Sequence, residues 1–228
     1  MADKDVLYHE LLEALQADGC AVCRLARRAS DSYINALLYE GVVDVDLRQK
    51  LRDARGLCRT HAWRMAHRRG SVLGTAIVYR DVINTLAKGL EAPAKRRLWG
   101  GRSDSAAHRL AAIAPCPACL LENSAAHRAI KTLLKHINDP AIAQSYVAAG
   151  GLCLPHFTET FSHAGGSASA NLREWQATVY GRLRDELDEL IRKHDHRFRS
   201  ETITDREAVA WTRAVAAVAG EDEPAGRE

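Results

Sequence analysis

Apolar residues recur along most of this chain every three or four positions, the period of a helix with one buried face. Val6, Leu7, Leu11, Leu12 and Leu15 open the pattern. A second helix is predicted from about Cys20 to Glu40, with Leu25, Tyr33, Ile34, Leu37 and Leu38 on or near its buried side. Asp44 to Arg55 reads as a short helix stopped by Gly56, and Ala148 to Gly151 ends its counterpart further on. Another helix or pair is expected from about Thr60 to Leu90, bent at Gly70 or Gly74. Ser167 or Ser169 could cap a long helix reaching Arg197. Thr204-x-x-Glu207 has the form of a capping box for a last helix ending near Gly220, whose apolar stripe is Ala208, Trp211, Val215 and Val218. Nothing alternates with period two beyond a few residues, so the expected class is all-α.

The chain also repeats itself. Cys20-Ala-Val-Cys23 recurs as Cys116-Pro-Ala-Cys119, an offset of 96. Gly56-Leu57-Cys58-Arg59-Thr60-His61 recurs as Gly151-Leu152-Cys153-Leu154-Pro155-His156, an offset of 95. Ile34, Leu37 and Leu38 map to Ile130, Leu133 and Leu134. The predicted architecture is a helical bundle of two pseudo-symmetric tandem repeats, 1–92 and 106–200. A basic linker at 93–105, a C-terminal helix at 201–220 and a disordered tail at 221–228 complete it.

All six cysteines fall in these motifs. Cysteines three apart at a helix start project to one side, where the helix dipole favours thiolate. Cys-x-x-His at another helix start does the same, and two such starts brought together make a closed site of three sulfurs and one nitrogen that suits zinc. Chain order pairs Cys20 and Cys23 with Cys58 and His61, and Cys116 and Cys119 with Cys153 and His156. The expectation is two Zn²⁺ per chain. Two iron–sulfur clusters on the same ligands remain an alternative. A third is a thiol oxidoreductase using the CxxC pairs, suggested by Pro117. Haem attachment of the c type is excluded, because Arg24 and Leu120 stand where CxxCH needs histidine.

Charge adds little. Residues 1–115 carry 19 Lys/Arg against 13 Asp/Glu, and 116–228 carry 13 against 16. The basic first half, with Arg59, Arg64, Arg68 and Arg69 beside one motif, could meet nucleic acid. No apolar run approaches the ~20 residues of a membrane span. Met1 to Asp5 is polar with no apolar stretch behind it, so a cytoplasmic location is expected. Trp63 is expected to pack over the neighbouring site, and Trp175 and Trp211 between helices.

The run Cys20-x-x-Cys23, then Leu37-Leu38-Tyr39-Glu40, then Gly56-Leu57-Cys58-x-x-His61-Ala62-Trp63 resembles an uncharacterised bacterial family of unknown function. The resemblance covers Cys20 to about Tyr79 and, more loosely, the second copy, where Phe157 stands in place of Ala62. It implies the four ligand positions in each half and no activity. No phosphate loop, dinucleotide fingerprint, G-x-S-x-G or H-E-x-x-H motif is present. The expected function is therefore a metal-binding, non-enzymatic module that engages a protein partner. The iron–sulfur alternative would serve electron transfer or redox sensing.

Overall fold

A computed structural model describes residues 4–39, 41, 44–91 and 106–221. Its regular elements are all helical: α1 (Val6–Ala14), α2 (Ala21–Tyr39), α3 (Val45–Asp53), α4 (Arg59–Ala66), α5 (Val72–Glu91), α6 (Ala106–Leu110), α7 (Pro117–Lys135), α8 (Pro140–Ala149), α9 (Leu154–His163), α10 (Gly166–Lys193), a 3₁₀ turn at His196–Phe198, α11 (Asp205–Ala208) and α12 (Ala210–Ala219). The order from α2 to α5 recurs from α7 to α10, and both leading helices have 19 residues.

Local chemistry sets many of the boundaries. Asp5, Asp44 and Asp139 each cap a helix by accepting from a backbone N–H one turn in. Pro117, Pro140 and Pro155 sit in first turns, where a missing N–H costs nothing. The Thr204–Glu207 capping box forms.

The chain divides into two compact units. One combines 1–26 with 125–224 and the other is built from 27–124. These units do not follow the chain-order division at 93–105. That stretch lies outside the described residues, as does 222–228 of the expected tail.

In the first unit, Tyr8 and Leu11 of α1 and Leu15 just after it bury against Ala21, Val22 and Ala26 at the start of α2. Ala129, Ile130 and Leu133 of α7, Ile142 and Tyr146 of α8, and Leu172 of α10 complete this core. In the second unit, Ile34, Leu37 and Leu38 of α2 bury against Leu51, Leu57, Met65, Val78 and Ala118. Each large side chain so buried contributes about 1.5–3 kcal/mol.

α5 reaches this core by close backbone approach. A Cβ on Gly74 would stand 3.0 Å from Leu38 Cδ2 and 3.1 Å from the Leu38 carbonyl oxygen. The carbonyl cannot move without α2, so Gly74→Ala is expected to destabilise the fold by about 1–3 kcal/mol despite alanine's better helix propensity. A denaturation midpoint equal to or above that of the parent would contradict this packing.

The Thr60–Leu90 segment is the expected pair of helices, parted at 67–71. Other sequence expectations are corrected. α10 begins at Gly166 with Gly165 as its cap; Ser169 instead hydrogen-bonds the Ala164 carbonyl. The last helix is interrupted at Val209. Trp63 and Trp211 are both 60% exposed, Trp63 stacking on His67 instead of covering a site. Trp175 does pack, against Tyr146.

Candidate metal centre

All four motifs open helices. The carbonyls of Cys20, Cys58, Cys116 and Cys153 accept the first helical hydrogen bonds of α2, α4, α7 and α9, from the N–H groups of Arg24, Ala62, Leu120 and Phe157. The residue three further on, Cys23, His61, Cys119 or His156, then lies one turn along on the same side. Each motif thus presents two ligands together.

The structure gathers the eight side chains into two clusters and changes their pairing. Cys20 and Cys23 meet Cys153 and His156, while Cys58 and His61 meet Cys116 and Cys119. Each cluster takes its CxxC from one copy of the repeat and its CxxH from the other, so the chain-order sets are wrong. The reason lies in the segments leading into the motifs. The C-terminal half of α2 packs with α3, α4 and α5 in the second unit. The approach to Cys116 is fixed there, with Ile113 and Ala114 N–H donating to the Asp53 carbonyl at the end of α3. The Arg55 guanidinium also holds the Leu110 and Arg109 carbonyls. In the first unit, Gly19 N–H donates to the Ala149 carbonyl at 2.7 Å, tying the approach to Cys20 to the end of α8.

In the first cluster the His156 Nδ1 lies 3.6, 3.3 and 3.2 Å from the sulfurs of Cys20, Cys23 and Cys153, and Cys23 and Cys153 are 3.6 Å apart. In the second, His61 Nδ1 lies 3.1, 3.7 and 3.4 Å from the sulfurs of Cys58, Cys116 and Cys119, and Cys119 and Cys58 are 3.6 Å apart. Four donors around one zinc, at ~2.3 Å for sulfur and ~2.0–2.1 Å for nitrogen, would stand about 3.8 Å (S···S) and about 3.5 Å (S···N) apart. Both clusters therefore have the size of a single tetrahedral site.

The positions behind the ligands differ. His61 Nε2 is 2.9 Å from Glu122 Oε1, an ion-pair contact off the ideal hydrogen-bond direction. Glu122 in turn accepts from the fully buried Ser30 hydroxyl at 2.7 Å and pairs with Arg64 at 3.1 Å. Three residues after Cys23, where Glu122 would recur, stands Ala26. The first cluster is instead closed by Glu221, whose backbone N–H donates to Cys23 Sγ. Its Cys153 side is fixed by Gln176, whose Nε2 donates to the Leu152 carbonyl at 2.9 Å and whose Oε1 accepts from Leu152 N–H at 3.2 Å.

Considered as side chains alone, the clusters hold charge. Cys116 is lowered to about 6: burial pushes it up, but His61 and the N–H groups of Cys58, Cys119 and Ala118 outweigh that. Cys116 and Glu122 raise His61 to about 10 against burial. Burial opposes the lowering of Glu122 to about 2, which His61, Ser30 and Arg64 bring about. Cys119 rises to about 12 through burial and the neighbouring thiols. In the first cluster Cys153 and Cys20 lower Cys23, and His156 rises to about 10, the two sulfurs overcoming burial. Anionic sulfur beside imidazole is a donor set that fits a thiophilic cation.

Residues 5–224 match the family of unknown function DUF6062. The chain belongs to this family. An uncharacterized 23.9 kDa protein encoded in the xynA 3′ region of Caldicellulosiruptor sp. (strain Rt8B.4) is 27% identical over 217 residues, covering 92% of this chain and 99% of that protein. No solved structure matches. DUF6062 thus brings no activity with it, and the chemistry rests on the residues.

Sequence reasoning found all eight clustered side chains but missed Glu122, Ser30 and Gln176. Glu122 was detectable as an acid one turn beyond Cys119. Gln176 was detectable as a polar interruption of the buried face made by Leu172, Val179 and Leu183. Of the four arginines near Cys58, Arg64 pairs with Glu122 and Arg68 with Asp31, while Arg59 and Arg69 are exposed. Among the described residues no helix is long and apolar enough to cross a membrane.

Proposed function

We propose that this protein holds two zinc ions per chain in closed Cys₃His sites and acts as a non-enzymatic binding or regulatory module. The observation that carries the reading is that all four donor atoms of each cluster lie within 4.8 Å of one another. That is about twice a zinc–sulfur bond, so one ion suffices. An iron–sulfur cluster interposes several irons and sulfides and spreads its thiolates further apart. Four protein ligands leave no open position for hydrolytic chemistry. Pro117 is explained as a first-turn helix residue without a dithiol role.

A protein partner fits the surface better than nucleic acid does. Trp211, Val215 and Val218 lie on one face of α12 and are each 60–61% exposed, whereas Arg64 and Arg68 are engaged in ion pairs.

The test is elemental analysis and a visible spectrum on protein purified without air. Two zinc per chain and no colour are expected; iron with matching sulfide and a broad visible band would overturn the assignment. Zinc should stay bound at neutral pH and leave as pH falls, because three thiolates per ion take up protons on release. The loss should be steep in pH, and a proton-independent loss would contradict thiolate ligation.

A further inference from the structure

α5 carries a second apolar face that its own unit leaves uncovered. Gly74, Val78 and Val82 are its buried residues. On the opposite side Leu73, Ala76, Arg80, Ile83, Ala87 and Leu90 follow one another in alternating steps of three and four, the seam of a coiled coil. Leu73 is 72% exposed, Ile83 60% and Leu90 61%, and Ala76 and Arg80 are exposed as well. An apolar seam left in water along a 20-residue helix marks a face that another surface covers.

The order of residues along the seam points to its occupant. From either end it runs leucine, alanine, one central residue, then the other central residue, alanine, leucine. We propose that the occupant is α5 of a second copy of this chain, packed antiparallel about a two-fold axis beside Arg80 and Ile83. In a two-fold contact residue i meets residue j and j meets i. With Leu73 against Leu90 of the second copy, Ala76 meets Ala87 and Arg80 meets Ile83, and every pair occurs twice. The alanine pairs let the helix axes approach, and the leucine pairs close both ends. Charge decides the direction. A parallel pair sets Arg80 on Arg80 in the middle of an apolar seam, where like charges repel and lose water. The antiparallel pair lays the apolar stem of each Arg80 on Ile83 and leaves the guanidinium at the rim.

The area sets the strength. Val72, 82% exposed, flanks the seam at the start of α5. Covering a large apolar side chain removes roughly 60–120 Å² from water. Val72, Leu73, Ile83 and Leu90 with the smaller contributions of Ala76, Ala87 and the Arg80 stem bring the two copies together over roughly 700–1,400 Å² in total, at the lower edge of specific interfaces. The dimer is therefore one that forms and dissociates with concentration.

The experiment uses the full chain as purified, and sedimentation equilibrium reads the dissociation constant. A monomer–dimer equilibrium at about 1–100 μM is expected for an interface of this size. I83D should weaken it about tenfold or more, because the contact then covers two carboxylates near the axis. L73K and L90E should each weaken it as well. The L73K/L90E chain should bind about tenfold more tightly than either single variant, since each lysine then meets a glutamate of the second copy. Within one chain positions 73 and 90 are about 25 Å apart along the helix and cannot pair. A chain that stays monomeric throughout this range would overturn the proposal. So would a dimer indifferent to I83D, or an L73K/L90E chain no tighter than the single variants. Leu73, Ile83 and Leu90 are all exposed, and unchanged circular dichroism and metal content in the variants separate these effects from unfolding.

Discussion

Replacing Cys20 and Cys153 together by serine is expected to remove one zinc per chain, and replacing Cys20 and Cys58 together is expected to remove both. Chain-order pairing demands the reverse, so the two double variants decide between arrangements that single substitutions cannot separate. The expectation follows from the two clusters, in which Cys20 stands with Cys153 and Cys58 with Cys116. Native mass spectrometry of freshly purified protein gives the count directly. Structural zinc contributes about 10–16 kcal/mol of apparent binding energy in zinc-finger peptides at neutral pH, of the same order as a whole domain's stability. The Cys20/Cys153 variant should therefore lose ordered packing around Tyr8, Leu133 and Tyr146 while Ile34, Leu51 and Met65 stay buried. One zinc lost from the Cys20/Cys58 variant and two from the Cys20/Cys153 variant would restore the chain-order pairing.

Gln176→Ala is expected to cost about 3 kcal/mol and to weaken zinc binding at the first cluster. Gln176 is 2% exposed and accepts from the Tyr146 hydroxyl at 2.5 Å as well as holding both backbone groups of Leu152. Its removal leaves three buried polar groups without partners, each worth about 1–3 kcal/mol, with water entering the space and recovering part of that. The same side chain shapes the turn into Cys153. Gly151 has φ +74, and a Cβ there would stand 2.6 Å from Gln176 Oε1, so only glycine fits on both counts. Tyr146→Phe provides the control. It removes one hydrogen bond while both Leu152 contacts remain, and should cost about 1 kcal/mol. Urea unfolding and zinc competition measure both variants. A Gln176→Ala protein within 0.5 kcal/mol of the parent would show that the clamp carries no weight.

Much of this was legible in the sequence because it depends on local geometry. The period of apolar residues sets helices, and Asp44 and Thr204 announce two helix starts that the structure contains. Cys-x-x-Cys and Cys-x-x-His put two ligands on one side of a helix start whatever the rest of the chain does. The eight clustered residues could therefore be named from spacing alone. Where the tertiary environment takes over, local pattern misleads. Trp211, Val215 and Val218 form the expected stripe, yet they face away from the described core.

The sequence by itself determined the all-helical class, the recurrence of the motifs and the identity of the clustered side chains, since each rests on contacts within one or two helical turns. Only the tertiary structure decided which CxxC meets which CxxH, because that depends on where α3 and α8 end and what their terminal carbonyls bind. It alone also placed Glu122 behind His61 and Gln176 behind Cys153. These groups lie 61 and 23 residues away in the chain from the residues they support, a separation at which helical periodicity carries no information.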